Sequence, residues 1–408
     1  MKILYITVKF PYGPEEAFLY EEIAESCNLG NEVYILPLRP GKKSHYTFPD
    51  SGNSPKLLVK PFFSPGYLPG MIAGIFRQLR VVTVCLAKIL FASGGPSSVI
   101  KNLSLLPKAL YLQKYLKPLQ IDHIHAYWMS TPASLAYMLS LLLKVPWSLT
   151  AHRWDIILNN LLKVKVASAS FVRVISNSSK NLILERIPGI NPNRISVLHL
   201  GIRVPAEASP RNFVGGEDKI FIIGVPAFLT TVKGHVYLID AVKKLTQEGF
   251  AVRLELYGSG YLEPSLRAKV RDLGLQEIIR FNGLVSHSHM MEIYSDHQVH
   301  CVVLPSIKVR EGVHEGIPVS LMEAMSYCIP VISTNTGGIP ELLDFEAGII
   351  VNEKSADALK QAIIALATNH RLYKDIAMNG YRKVSDSFNV RQTVKALNSL
   401  FQPGQSER

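Results

Sequence analysis

The chain has 408 residues, 48% hydrophobic and 19% charged, an ordinary balance for a soluble globular enzyme and long enough for two domains with separate cores. Its four cysteines (Cys27, Cys85, Cys301, Cys328) have no paired spacing, which argues against a disulfide framework or zinc site and fits a reducing, cytoplasmic compartment. The net charge of +12 is uneven: residues 1–205 hold 23 Lys and Arg against 10 Asp and Glu, and the remaining 203 hold 21 against 22, so the first half suits a polyanionic or membrane-surface partner. Nucleic acid is not the expected partner, because no recognition element is interleaved with the basic residues.

The opening MKILYITVKF alternates as a strand and lacks the charged start and apolar core of a signal peptide. A strand over 3–8 leads through Phe10-Pro11-Tyr12-Gly13-Pro14 into a helix near 15–27 and a strand at 32–37, the start of a parallel sheet with crossover helices. Residues 71–92 have the length of a membrane span, but Arg77, Arg80 and Lys88 interrupt it. At about 100° per residue these three fall within roughly 80° of one another on a helix. That pattern fits a helix lying in a membrane interface, or an amphipathic helix packed on the first domain. Further strands are expected at 123–125, 148–150, 171–176 and 194–199, with a helix over 131–143.

The stretch 203–218, with Pro205, Pro210, Gly215 and Gly216, reads as a linker, and a second α/β cycle starts after it. Strands at 220–224, 253–257, 279–282, 299–304 and 331–333 alternate with helices at 234–247, 261–273, 318–327, 340–343, 356–368 and 371–385. The expected layout is a basic first domain over 1–204, a linker over 205–218 and a second domain over 219–386. A last helix within 387–408 is expected to cross back to the first domain. Two such α/β units place a cleft between them.

The densest chemical signal is Glu315-Gly316-Ile317-Pro318-Val319-Ser320-Leu321-Met322-Glu323. Pro318 suits the first turn of a helix, and the N–H groups of Ile317, Val319 and Ser320 then form an anion site at its N-terminus. Glu315 precedes the helix beside that site. Glu323, one to two turns in, is placed to accept hydrogen bonds from ribose hydroxyls. A strand over 330–334 and the turn Thr336-Gly337-Gly338-Ile339-Pro340 make a second nest of backbone amides.

Together these residues resemble the donor-binding core of glycosyltransferase family 4, over nearly the whole chain and most tightly from 299 to 343. The resemblance implies the GT-B fold, α/β with two Rossmann-like domains facing each other across a cleft. It implies a retaining, metal-independent transferase that uses a nucleotide-sugar donor and needs no cofactor. The family's diphosphate lysine falls on Lys233, next to Gly234, and its glycine pair on Gly258 and Gly260. Glu315 would contact the transferred sugar. The segment Thr150-Ala151-His152-Arg153-Trp154-Asp155 resembles the one whose histidine faces that sugar; Asp155 is expected to orient the loop. Phe10 and Pro11 with Glu15-Glu16-Ala17-Phe18 resemble the acceptor-side opening of enzymes that build bacterial exopolysaccharides, and His125 is an acceptor-side candidate. The remaining histidines at 287, 289, 297, 300 and 314 lack a metal-ligand spacing and read as mostly surface.

One departure stands out: Phe228 occupies the position where the family usually has an arginine beside the diphosphate, with Lys308 or Arg310 as possible substitutes. Cys328 stands for a common glycine and Arg203 for a frequent acidic residue. The expected role is sugar transfer to a lipid-linked or saccharide acceptor at the inner membrane face, in cell-surface polysaccharide synthesis. A weakened scaffold subunit or a nucleotide-sugar epimerase on the same fold are the alternatives.

Overall fold

The computed structural model describes residues 1–13, 16, 18–48, 53–59, 67–210, 220–309 and 314–402. Glu15, Arg310 and most of the expected linker lie outside the described residues. The chain divides into two compact units, one of Met1–Gly201 with Val390–Arg408 and one of Ile202–Asn389.

The first unit is built on seven strands: β1 (Lys2–Thr7), β2 (Glu32–Pro37), β3 (Lys56–Leu57), β4 (His123–Tyr127), β5 (Trp147–Ala151), β6 (Val172–Val174) and β7 (Ile195–Val197). They lie in the order β3-β2-β1-β4-β5-β6-β7, and every neighbouring pair is parallel. Helices on both faces bury β4 and β5 completely, as parallel sheets require. The last helix, Val390–Phe401, completes this unit: Leu397 and Phe401 are buried with Ile3 and Tyr5, and Asn31 Nδ2 donates to Asn398 Oδ1 at 2.9 Å.

Two polar features run through this core. His123 and His125 form a ladder on β5, with Nε2 of His123 and Nδ1 of His125 each 2.7 Å from Ser148 Oγ, and Nε2 of His125 2.9 Å from Thr150 Oγ1. Burial lowers the His123 pKa to about 3 and holds that of His125 well below the ordinary histidine value. The second feature centres on Arg173, which has no exposed surface. Its Nη1 donates to Glu22 Oε2 at 2.8 Å and to Tyr127 Oη at 2.9 Å; Nε and Nη2 donate to the carbonyls of Leu198 (2.9 Å) and His199 (2.8 Å). Tyr127 in turn donates to Glu22 Oε1. One guanidinium thus ties the helix Phe18–Asn28 to β4, β6 and the chain beyond β7.

The apolar segment 71–92 is not one helix. It breaks at Gln78 (φ −125°, ψ 30°) into Tyr67–Arg77 and Leu79–Ala92. The second helix buries Val82, Cys85 and Ile89, while Phe76 (80% exposed), Leu79, Leu90 and Phe91 (90% exposed) stand in solvent with Arg77, Arg80 and Lys88. No helix among the described residues is long and apolar enough to cross a membrane.

The second unit repeats the plan with β8 (Phe221–Pro226), β9 (Val252–Tyr257), β10 (Ile279–Gly283), β11 (Cys301–Leu304), β12 (Val331–Thr334) and β13 (Ile349–Val351). The order is β10-β9-β8-β11-β12-β13, again all parallel. His300, expected at the surface, is buried: its Nδ1 accepts from Ile222 N at 2.8 Å, tying β8 to the start of β11.

Two outcomes follow from the polar core. Arg173→Met alone leaves Glu22 buried without its cation and should cost about 3–5 kcal/mol in urea unfolding; adding Glu22→Leu should recover most of that loss. A histidine with a depressed folded pKa binds fewer protons folded than unfolded, so stability should fall as pH drops below about 6.5, by up to about 1.4 kcal/mol per pH unit for each such group. Between pH 6.5 and 5, His123→Gln should flatten that slope by about one proton.

Candidate functional site

In an open parallel sheet, ligands bind beyond the carboxyl ends of the strands, where consecutive connections diverge to opposite sides. In the second unit this point lies between β8 and β11. The loop after β8 carries Phe228, Lys233 and Gly234, and the loop after β11 carries Ser306 and Glu315. The structure brings the two loops into contact: Lys233 Nζ lies 2.5 Å from Glu315 Oε2, and Ser306 Oγ lies 3.4 Å from the same oxygen. Only 19% and 16% of the two charged side chains are exposed, so water screens the pair poorly. Residues 82 positions apart thereby set a cation and an anion side by side at the switch point.

Backbone contacts hold these loops at a distance that side chains would prevent. Gly234 has φ +64°, and a Cβ there would sit 1.9 Å from the Pro305 carbonyl oxygen. Gly337 has φ +63°, and its Cβ would sit 1.8 Å from the Glu315 carbonyl oxygen. The N–H of Gly338 donates to the carbonyl of Gly316 at 3.2 Å, and Thr334 Oγ1 donates to the Ser306 carbonyl. His314 adds an Nδ1 contact to the Glu315 carbonyl at 2.8 Å. Gly258 and Gly260 lie against the loop after β8, where Leu229 N donates to Ser259 O at 3.0 Å; side chains there would meet the carbonyls of Ala227 and Leu229.

The helix after Glu315 spans Val319–Ser326, so Pro318 (φ −77°, ψ 117°) caps it instead of forming its first turn. The first-turn amides of Val319 and Ser320 point out of the helix end, with no acceptor inside it. Glu323, in the same helix, has a side chain 17% exposed, and His287 Nε2 reaches its Oε1 at 2.9 Å. That partner, 36 residues earlier in the chain, gave no sequence signal of its own. Phe228 is 64% exposed, and Lys308 is exposed with its backbone N–H on Glu353 Oε2 at 2.5 Å.

The first unit diverges in the same way between β1 and β4. Glu16, 2% exposed, gathers the loop after β1. It accepts from the N–H groups of Val8 (3.1 Å), Lys9 (2.6 Å) and Phe10 (2.6 Å) and from Trp128 Nε1 (2.7 Å). Trp128 stacks on His152, with ring centroids 4.2 Å apart. The His152 Nε2 is shut off from water without a hydrogen-bond partner, and burial, then Arg173, lowers its pKa to about 3. Asp155 accepts from Met129 N at 3.1 Å and His152 N at 3.3 Å, and burial pushes its pKa up to about 7. Arg153, half-buried, opens the short helix Arg153–Ile157.

Two acceptor-side expectations are corrected. Phe10 and Pro11 are buried, Phe10 among the rings of Tyr46 and Phe48, so they shape the loop from beneath. His125 has no exposed surface, and Ser148 and Thr150 occupy both its ring nitrogens. Trp128 and the buried Lys165 were missed as parts of this end of the sheet. Among the described residues, no three His, Cys, Asp or Glu side chains gather in a way that could hold a metal ion.

Residues 207–383 match the family model for glycosyl transferases group 1. A protein of Salmonella typhimurium named as the colanic acid biosynthesis glycosyltransferase WcaL is 32% identical over 216 residues, which are 52% of this chain and 52% of that protein. The chain thus matches about half the length of that relative. The amylovoran biosynthesis glycosyltransferase AmsK of Erwinia amylovora is 24% identical over 98% of this chain and 99% of its own. Anabaena HepE, solved in complex with UDP, superimposes with a TM-score of 0.69 at 16% identity, covering 98% of this chain and 99% of that one. At that identity the likeness is one of fold: two Rossmann-like parallel-sheet domains of GT-B type.

The two loop glycines make a direct test of how the site is held. Gly337→Ala must move the Glu315 backbone and should destabilise the second unit by about 1–3 kcal/mol in urea unfolding. Gly316→Ala meets nothing within 4 Å and should stay within about 0.5 kcal/mol of the unaltered protein.

Proposed function

We propose that this chain, whose second unit carries the glycosyl transferases group 1 domain, is a retaining glycosyltransferase. It moves a sugar from a nucleoside-diphosphate donor to a saccharide or lipid-linked acceptor in cell-surface polysaccharide synthesis. The observation that carries this reading is the Lys233–Glu315 pair at the switch point of the second unit, beside the N-terminus of Val319–Ser326. A nucleoside-diphosphate sugar presents adjacent groups of matching chemistry. Its diphosphate suits Lys233 and the helix amides, and its hydroxyl-rich sugar, positive at the anomeric carbon in the transition state, suits Glu315. Glu323 supplies a carboxylate for the ribose hydroxyls. The names of WcaL and AmsK support the polysaccharide setting, and the UDP complex of HepE supports a nucleotide donor.

In the reaction, the bond from the anomeric carbon to the diphosphate oxygen breaks and a bond to the acceptor oxygen forms on the same face. The acceptor's proton passes to the departing phosphate oxygen. Among the described residues, the carboxylates of Glu16 and Asp155 around the Trp128–His152 stack already accept backbone N–H groups, which favours the leaving group over either of them as base. Lys233 and the helix amides stabilise the leaving charge, so the reading calls for no metal. The exposed Phe76, Leu79, Leu90 and Phe91 beside Arg77, Arg80 and Lys88 form an apolar and basic surface suited to an anionic membrane, where a lipid-linked acceptor resides.

Thermal unfolding against UDP-, GDP-, ADP- and CMP-sugars tests the donor site. A donor at one hundred times its dissociation constant should stabilise the protein by about 2.7 kcal/mol, and Glu323→Ala should abolish the shift. Silence from every nucleotide would count against the reading. Co-sedimentation with phosphatidylglycerol vesicles tests the surface: binding should weaken in Phe76→Glu/Phe91→Glu and in high salt.

A further inference from the structure

The turn between the short helix Ile339–Leu342 and β13 has a backbone that its residues resist. The Ala347 N–H donates to the Asp344 carbonyl at 3.1 Å, and both residues between them are left-handed, Phe345 at φ +53° and Glu346 at φ +57°. Turns with two such residues are built chiefly from glycine, asparagine and aspartate, because a larger side chain there crowds its own backbone. Burial offers Phe345 no compensation, since the residue is 85% exposed. Strain of this kind persists where the surroundings impose it, and it gathers at sites that meet a ligand.

Phe345 lines a cavity of about 330 Å³, within the range of small-molecule sites. The cavity lies at the amino end of β13, whereas Lys233 and Glu315 meet at the carboxyl edge of the same parallel sheet. Gly380 lets the helix His370–Ser387 come up against the turn, since a Cβ there would sit 3.1 Å from the Ala347 carbonyl oxygen. That helix lines the cavity with Asn379, Arg382, Lys383, Asp386 and Ser387, whose steps of three and four residues set them along one face. Lys383 steadies the turn: its Nζ lies 2.5 Å from Asp344 Oδ1 and 5.5 Å from the centre of the Phe345 ring. Arg382 and Asp386 are exposed, Asn379 and Ser387 half-buried.

The lining has the chemistry of hydroxyl recognition: Arg382 donates, Asp386 accepts, and Asn379 and Ser387 do both. Asp344 and Asp386 balance Arg382 and Lys383, so the charge of the cavity does not select a phosphate or a nucleotide. An aromatic face for C–H groups beside donors and acceptors for neighbouring hydroxyls matches an uncharged pyranose. We propose that this cavity is a saccharide site, remote from the donor loops along the sheet, that holds a short uncharged stretch of glycan with one ring on Phe345. Identifying that glycan with the polysaccharide under construction rests on the reading of this chain as a polysaccharide-building enzyme; the binding itself does not.

Saturation-transfer NMR on the full chain without nucleotide tests the site, with maltotetraose, cellotetraose, laminaritetraose and mannotetraose as probes. In the native chain the pyranose C–H signals of at least one probe should be saturated, and Phe345→Gly should cut them about fivefold. The melting temperature of that variant should hold or rise, because glycine accepts the left-handed backbone that phenylalanine resists, so the loss of binding is not a loss of fold. Arg382→Ala should weaken the same signals about threefold. Equal saturation in native and Phe345→Gly chains, or none from any probe, overturns the site. So does a native chain that sediments as a dimer where Phe345→Gly sediments as a monomer, which would make the ring a contact between copies. Thermal shifts with nucleotide sugars report Lys233 and Glu323 and should be the same in both chains. Saturation that depends on Phe345 without any nucleotide shift upholds this site while the donor reading fails, and a nucleotide shift without such saturation does the reverse.

Discussion

A parallel sheet that grows outward in both directions from its first strand has one place where the loops at its carboxyl edge part, and both units are built on that constraint. Between β1 and β4, and between β8 and β11, the connections leave in opposite directions, and side chains from sequence-distant loops converge there. Lys233 and Glu315 meet at one such point; Glu16, Trp128 and His152 meet at the other. In both units these polar and aromatic groups gather where the strand order reverses.

Holding polar groups at these edges takes different means in the two units. The second relies on close backbone approach: Gly234 and Gly337 allow the loops after β8, β11 and β12 to touch without intervening side chains. The first relies on buried charge. Arg173 joins a helix, two strands and the chain beyond β7, while Glu16, Asp155 and Lys165 fix the chain ends around Trp128. Burial pushes Lys165 down to about 7 and Asp155 up to about 7, even against their mutual attraction and the backbone hydrogen bonds that Asp155 accepts, so leaving either group without its partners would be costly. The basic character of the first half of the chain has a separate origin, on exposed helices such as Leu79–Ala92.

Much of this was legible in the chain. Residues 315–323 announced a helix start beside a carboxylate, and the spacing of apolar runs gave most of the strands. Other features were hidden because they depend on pairing across space. Glu15 and Glu16 look alike in sequence, and only the fold shows Glu16 collecting three amides and an indole. His125 was misread because a histidine in HIHAY carries no mark of the Ser148 and Thr150 partners on the next strand. The break at Gln78 is equally silent, since the apolar period continues through it. Gly258 and Gly260 matched a binding motif, yet the loop after β8 packed against them is itself a sufficient reason for glycine.

The exposed Phe228 bears on how the donor site would work under the proposed reading. With no second cation on that loop, Lys233 is the one charge the loop after β8 offers a diphosphate, and Lys233 is engaged by Glu315. A diphosphate carries more charge than one carboxylate and can also accept from the helix amides, so it competes well for the ammonium. Drawing Lys233 away frees an oxygen of Glu315 in the half-buried place where a sugar attached to that diphosphate would lie. One exchange of partners would then ready both ends of the site, and a ligand lacking either the diphosphate or the sugar would complete only half of it.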